Sequence, residues 1–276
     1  MIIAQITDTH VRPRGKIAYA RVPTNAMLEQ AVAQLVRLRP QPDVVIATGD
    51  LTDCGLVEEY EVLRDILAPL PMPVYLVPGN HDRRENLRRV FGHWPYLSNL
   101  DGFIQYAVEA FPVRLLALDS VVPGEGWGSV CAERRQWLAE RLAEAPGKPT
   151  VIFMHHPPFR TGLGHMDAIH CRDGAELQPI VAAHPNVERV LCGHHHRPIQ
   201  IRWAGTIGSV APSTAHQVTL DLRPDDPGSF TMEPPAFQLH AWLPGDGLVS
   251  HTMPIGDFGG PYPFLLDPDY PAYRAG

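Results

Sequence analysis

Apolar residues in this chain gather into short runs, and most of the runs stop at a polar cluster. MIIAQI leads into Asp8, DVVIAT into Gly49-Asp50, VYLVP into Gly79-Asn80-His81-Asp82, TVIFM into His155-His156, and VERVLC into Gly193-His194. Each run has the length of a strand and is rich in Val and Ile, the pattern of strands covered on both faces. Between the runs lie stretches with helical spacing. Thr24 to Arg39 places Met27, Ala31, Leu35 and Leu38 on one face, with Thr24 as the expected N-cap; 57–67, 132–143 and 174–183 read the same way. Alternation of strand and helix predicts an α/β sheet with helices packed on it. Loops at the strand ends of such a sheet converge on one crevice, so all five polar motifs are expected in one place.

Past Arg197 the pattern changes. IQIRWAGTIG, AHQVTLDL, FQLHAWL and LVSHTM alternate as strands do, while Leu222 to Pro235, rich in Pro, Asp and Gly, reads as a loop or boundary. The closing stretch, FGGPYPFLLDPDYPAYRAG, mixes aromatic residues with proline and is expected to be an irregular arm packed on a surface, such as that of a neighbouring subunit.

Composition narrows the class. A chain of 276 residues that is 45% hydrophobic can bury a large core, which excludes intrinsic disorder. A net charge of −7 without a long basic run argues against a nucleic-acid polymer as partner. Cys54, Cys131, Cys171 and Cys192 show no C-x-x-C spacing, as in a reduced, cytoplasmic chain. No run reaches the length of a membrane span, so no membrane partner is expected. The opening also lacks the basic head and long apolar stretch of a cleaved signal peptide. Histidine is the outlier: of 14 copies, five fall in His155-His156 and His194-His195-His196.

Those histidines belong to an ordered set: Asp8-x-His10, Gly49-Asp50, Gly79-Asn80-His81-Asp82, His155-His156 and Gly193-His194-x-His196. The donors are carboxylate and amide oxygens and imidazole nitrogens, a mixture that suits Mn, Fe, Co or Zn and needs no thiolate. Asp8, His10, Asp50, Asn80, one or other of His155 and His156, His194 and His196 exceed what one ion requires, and two ions sharing an aspartate fit the count. Glycines before Asp50, Asn80 and His194 let the chain bring these groups close. Each motif alone fits an ordinary turn; the five in order point to a metal centre.

The set D-x-H, G-D, G-N-H-D, H-H-P-P and G-H-x-H resembles the calcineurin-like metallophosphoesterases, most closely the bacterial glycerophosphodiester phosphodiesterases and class III cyclic-nucleotide phosphodiesterases, and spans Asp8 to His196. The resemblance implies a four-layer α/β/β/α sandwich with a small C-terminal β extension. The catalytic domain would cover 1–222, and 223–276 would serve oligomerisation or act as a cap; a homo-oligomer is expected. It also implies two divalent ions, one held by Asp8, His10 and His196, the other by Asn80, His155 and His194, with Asp50 between them. The first histidine of the pair, His155, is the implied ligand, and His195 fills the variable position. Two divalent ions, less the charges of Asp8, Asp50 and a shared hydroxide, leave a site roughly one unit positive, which suits a phosphodiester monoanion. The hydroxide, from water whose pKa falls to about 7 on zinc, would attack phosphorus in line.

His81 would then contact the substrate and donate a hydrogen bond or proton to the leaving oxygen. Asp82 would hold that imidazole or turn the chain. Tyr19 and His216 are the better candidates for substrate contacts at the rim, with His165 the lesser one. Arg12, Arg14, Lys16 and Arg21, with no acid before Glu29, read as a steering patch or a solvated loop. Asp119 reads as a supporting or turn residue, Cys54 as inert and Cys192 as buried.

Within the superfamily, GDLTDCG places Cys54 where protein serine/threonine phosphatases carry an arginine, and Leu51, Thr52 and Asp53 offer no tyrosine ligand of the purple acid phosphatase kind. A small-molecule phosphodiester is therefore the expected substrate. Glycerophosphodiesters come first, because DTHVRPRG, GDLTDCG and FMHHPP look closest to that branch. 3',5'-Cyclic nucleotides are the alternative, and a metal-binding scaffold without catalysis is a third reading.

Overall fold

The computed structural model describes residues 1–98 and 100–262. In chain order the elements are β1 (Ile2–Ile6), α1 (Thr24–Arg37), β2 (Val44–Thr48), α2 (Val57–Leu67), β3 (Val74–Val77), α3 (Arg84–Phe91), β4 (Tyr106–Val108) and β5 (Arg114–Ala117). There follow α4 (Ala132–Glu144), β6 (Thr150–Phe153), α5 (Gly164–Asp167), α6 (Gly174–Ala182), β7 (Val187–Cys192), β8 (Ile199–Trp203) and β9 (Thr206–Val210). The last are β10 (Gln217–Val218), β11 (Phe230–Thr231), β12 (Ala236–Leu243) and β13 (Gly247–Pro254).

Two mixed sheets result. The first has the order β13-β12-β1-β2-β3 and the second β4-β5-β6-β7-β9-β8. β1, β2 and β3 run parallel, as do β5, β6, β7 and β9. Their side chains alternate between two cores. Leu115, Ala117, Val151, Phe153 and Leu191 join Ile3, Ile46 and Phe237 of the first sheet, whereas Leu116, Ile152, Met154 and Val190 face Leu138 and Leu142 of α4 and Leu177 and Val181 of α6. Strands covered on both faces are predominantly apolar, so their runs show little alternation in sequence. α1 and α2 bury Leu28, Leu35, Tyr60 and Leu63 with the first sheet. Helix, sheet, sheet and helix layers follow, as expected for the sandwich.

The C-terminal strands extend the first sheet: β12 pairs antiparallel with β1 and β13 with β12. The boundary expected at 222/223 falls inside the β10–β11 pair. Most of the aromatic closing arm, 263–276, lies outside the described residues. Thr24 is not the cap of α1; it is the first helical residue, and its hydroxyl donates to the His10 carbonyl at 2.8 Å. The helix stops two residues short of Arg39, since a residue before proline disfavours helical dihedrals.

Between the sheets His240 is fully buried, with Nε2 3.1 Å from Gln5 Oε1 and Nδ1 2.6 Å from Ser250 Oγ. A neutral imidazole, donating at Nε2 and accepting at Nδ1, meets both. Burial, aided by Arg189 and His251, pushes its pKa down to about 3. Between about 3 and the ordinary 6.5 the unfolded chain therefore binds a proton that the folded chain refuses. Stability should fall as pH drops through that window, by at most roughly 1.4 kcal/mol per pH unit from this group. Chemical unfolding of wild type and His240→Gln, both chelated, should give stabilities whose difference changes across the window; a constant difference would exclude His240 as the source.

Candidate metal centre

The parallel strands deliver the motifs to one end of the sandwich. Asp8 follows β1, Asp50 follows β2, Asn80 follows β3, His155 follows β6 and His194 follows β7. Asp8, His10, Asp50, His155, His194 and His196 are all at most 5% exposed. Ligand atoms of Asp8, His10, Asp50 and His196 lie within 4.8 Å of one another, and so do those of His155, His156 and His194. Asn80 Oδ1 is 3.0 Å from His155 Nε2. All seven predicted positions are thus brought together.

Asp50 stands between the two groups. Its Oδ2 is 3.8 Å from His10 Nε2 and its Oδ1 is 3.4 Å from His155 Nε2. The imidazoles are held by their other nitrogens. Nδ1 of His10 donates to Asp53 Oδ1 at 3.2 Å, Nδ1 of His155 to the Thr48 carbonyl at 2.8 Å, and Nδ1 of His196 to the His216 carbonyl at 3.0 Å. His194 is reversed, its Nε2 donating to the Ile169 carbonyl at 3.1 Å. In each case the remaining nitrogen faces the centre and is the one that a metal would take once deprotonated, as metal-binding histidines are commonly arranged. Two such nitrogens, Nε2 of His10 and of His196, are only 3.3 Å apart. Facing lone pairs repel unless a proton or a cation lies between them, so this donor set fits a divalent metal.

The backbone is strained at the same places. Among the described residues eight non-glycine residues have positive φ: five are Asp8, His10, Asp50, His194 and His196, and a sixth is Tyr19. Each such conformation costs on the order of 1 kcal/mol or more, and clustering of this kind points to function. Close approach explains two of the glycines. A Cβ on Gly79 would stand 2.2 Å from Asp50 Oδ1, and one on Gly193 2.0 Å from Thr7 Oγ1. Neither glycine has positive φ; what they provide is room.

Charge is tightly coupled here. Burial opposes ionisation of Asp8 and Asp50, yet His196 and His155 respectively outweigh it and both carboxyls stay below their ordinary range. Burial likewise opposes a charge on His155, but Asp50 and Asp8 push its pKa up to about 9. The two buried aspartates call for positive charge beside them.

His81 lies next to Asp50, its amide donating to Oδ1 at 2.9 Å. Its Nδ1 donates to the Asp53 carbonyl at 2.7 Å, which leaves Nε2 free. A cavity of about 660 Å³ opens beside Asn80 and His81, bounded by Asp53, Arg83, Arg88 and Glu125. A second, more apolar cavity of about 510 Å³, at Met72, Tyr75, Trp94 and Tyr96, contains none of these groups. On the other side His216 packs 4.6 Å from the His196 ring, and the exposed Tyr19 stacks 5.1 Å from His216. Burial and the carboxylates of Asp53, Asp50 and Asp8 push the Tyr19 phenol up to about 12, so it remains a hydrogen-bond donor.

Several expectations need correction. Asp82 makes no side-chain hydrogen bond to His81; of its two expected roles, turning the chain is the one observed. It accepts from the amides of Leu51, Thr52 and Gly79 and from the hydroxyls of Thr52 and Tyr60, so it pins the β2 and β3 loops together. His165 lies 3.0 Å from Asp226 and belongs to neither ligand group of the centre. Arg12 is engaged by Asp53 and Glu59, and Arg14 by Asp65, so half of the basic loop is neutralised by acids far along the chain. Asp119 grips Arg84 through both oxygens at 2.6 and 2.7 Å. Cys54 is exposed with Sγ 2.6 Å from Arg12, whereas Cys192 is buried at the end of β7, as the sequence led us to expect.

The residue that sequence reasoning missed is Asp53, which orients both His10 and His81; its place three after Asp50 was the available signal. The carbonyls of Thr48, Ile169 and His216 left none, because every residue has one.

Comparison with known proteins agrees with this geometry. The family model described as calcineurin-like phosphoesterase matches residues 1–198. A probable glycerophosphodiester phosphodiesterase, GpdQ of Arcobacter nitrofigilis, is 40% identical over 96% of this chain and 97% of its own. The 3',5'-cyclic adenosine monophosphate phosphodiesterase CpdA of Escherichia coli is 32% identical over 78% of this chain and 76% of its own. Among solved structures, a dimetal phosphatase from Danio rerio superposes with a TM-score of 0.64 at 15% identity, over 93% of this chain and 99% of that one; the likeness is one of fold.

Proposed function

The chain belongs to the calcineurin-like phosphoesterase family, and from that premise we propose that it is a binuclear metal-dependent phosphodiesterase that hydrolyses glycerophosphodiesters. The observation that carries the reading is the position of Asp50, with one oxygen toward His10 and the other toward His155. In this reading Asp8, His10 and His196 would hold one divalent cation, Asn80, His155 and His194 the other, and Asp50 would serve both. Mn, Fe, Co and Zn all suit these donors. Bound there, two such ions supply Lewis acidity and a nucleophile at neutral pH.

The protein's own groups do the rest. Asp53 fixes the His10 ring by its carboxylate and the His81 ring by its carbonyl, so neither turns as the substrate arrives. Because the Nδ1 proton of His81 is held by that carbonyl, the proton for the leaving oxygen comes from Nε2. Burial disfavours the imidazolium of His81, but Asp50 and the Asp53 carbonyl outweigh it and raise its pKa. Tyr19 donates to the phosphate or to the alcohol group, and His216 stiffens the wall behind it. The cavity beside His81 receives the alcohol. The acidic chain, at −7, fits small diesters better than nucleic-acid polymers. We place it in the cytoplasm as a homo-oligomer.

A second reading, 3',5'-cyclic nucleotide hydrolysis, is favoured by the likeness to CpdA. Product analysis with glycerophosphoethanolamine and cyclic AMP side by side, in Mn-loaded protein, separates them. We expect kcat/KM at least about tenfold higher for the glycerol diester, a difference of about 1.4 kcal/mol in transition-state binding. A preference for cyclic AMP would establish the second reading instead.

A further inference from the structure

One hydrogen-bonded chain of buried and half-buried polar groups crosses the interior of the sandwich beneath the metal centre. Gln5 is the polar residue of the otherwise apolar β1 and is fully buried. Its amide nitrogen donates to Thr48 Oγ1 at 3.0 Å and to the Cys192 carbonyl at 2.9 Å, so both of its protons are used. Its oxygen accepts from His240 Nε2 at 3.1 Å, and His240 Nδ1 accepts from Ser250 Oγ at 2.6 Å. Arg189 closes the line, donating to Ser250 Oγ and to the Leu248 carbonyl. Gln5 and His240 are diagonal neighbours across the β1–β12 pair, since Ile3 lies opposite His240 and Gln5 opposite Gln238.

Such a chain is costly in an apolar interior, where well-packed hydrophobic residues are often as stable or more so. What it fixes is a distance between sheets. Thr48 ends β2 two residues before Asp50, and its carbonyl accepts Nδ1–H of His155. Cys192 ends β7 two residues before His194, and the Gly193 amide donates to the His155 carbonyl at 3.0 Å. One amide group thus ties together the strand ends that present Asp50, His155 and His194. Asp8, His10 and His196 have ties of their own: the His194 amide donates to the Asp8 carboxylate, Asp53 holds His10, and the His216 carbonyl holds His196.

We propose that Gln5, oriented by His240, is the positioning residue for the cation held by Asp50, Asn80, His155 and His194, setting the inter-sheet spacing on which that coordination depends. The inference rests on the two-cation reading above and adds to it that the cation at Asn80, His155 and His194 depends more heavily on the Gln5 network than the other does.

The test uses the full chain, stripped of metal and titrated with Mn by calorimetry at a temperature where circular dichroism shows each variant folded. Gln5→Leu and His240→Leu should each weaken the second cation by roughly 10–100-fold, the size seen when outer partners of metal ligands are lost. The first cation should change by less than about threefold, and kcat should fall with KM nearly constant. His240→Gln, which can still donate to Gln5, should restore the second affinity to within a few-fold of wild type. General loosening of the fold would weaken both cations together and would not be rescued. Should the leucine variants fail to fold, Thr48→Val removes one partner of Gln5 at the edge of the network and should give a smaller loss confined to the second cation. Wild-type affinity for both cations in folded Gln5→Leu, or in Thr48→Val where that stands in, overturns the proposal. Failure of the wild-type chain to bind two cations would overturn the two-cation reading instead.

Discussion

Asp50→Ala is expected to lower kcat/KM for any diester by at least about 10³-fold, which is about 4 kcal/mol of transition-state stabilisation. The two oxygens of Asp50 reach toward both halves of the centre, to His10 and to His155, and its carboxylate also accepts the His81 amide. On the two-cation reading proposed above, removing it would deprive both cations of an anionic ligand and free the loop that carries His81. Chelation of the wild-type protein should produce a comparable loss, reversed by adding Mn; adding Mn to Asp50→Ala should restore little. Turnover that survives exhaustive chelation would end the two-metal account, whatever the variant does.

His81→Ala should cost roughly 10²–10³-fold on an alkyl diester such as glycerophosphoethanolamine, within the range of general acid catalysis. On bis(p-nitrophenyl) phosphate it should cost less than about tenfold. The reason lies in the leaving group: an alkoxide must be protonated as it departs, whereas p-nitrophenolate leaves unaided near neutral pH. The structure makes the split testable, because His81 keeps Nδ1 on the Asp53 carbonyl and has only Nε2 to offer. Equal losses on both substrates would mean that His81 binds or positions the phosphate and transfers no proton. Asp82→Asn should follow a different pattern. It meets only Leu51, Thr52, Gly79 and Tyr60, so its effect should appear in stability and equally on both substrates.

Much of the centre was legible because its residues are chemically rare and its strands are simple. A run such as DVVIAT ending in Gly-Asp announces a buried strand and its exit together, and five such endings in order leave few alternatives. Helices with clear spacing, such as α2, were placed to the residue. α3 was missed because Arg84–Phe91 carries so many charges that only Leu87, Val90 and Phe91 mark its buried face. The basic loop was misjudged for a related reason. Charge counted along the sequence omitted Asp53, Glu59 and Asp65, which lie more than 40 residues from Arg12 and Arg14 in the chain and within 3.1 Å in space.

By itself the sequence determined the class of chemistry, since side-chain donors are set by residue type, and the strand ends that carry them, since buried strands are predominantly apolar. It did not determine which nitrogen of each histidine faces the centre, that Asp82 serves the loops, or that Gln5 links the two sheets. Those depend on carbonyls and amides that every residue possesses and on partners brought near only by folding. Composition and spacing carry no information about them, and the packed structure alone decided which of these identical groups would meet.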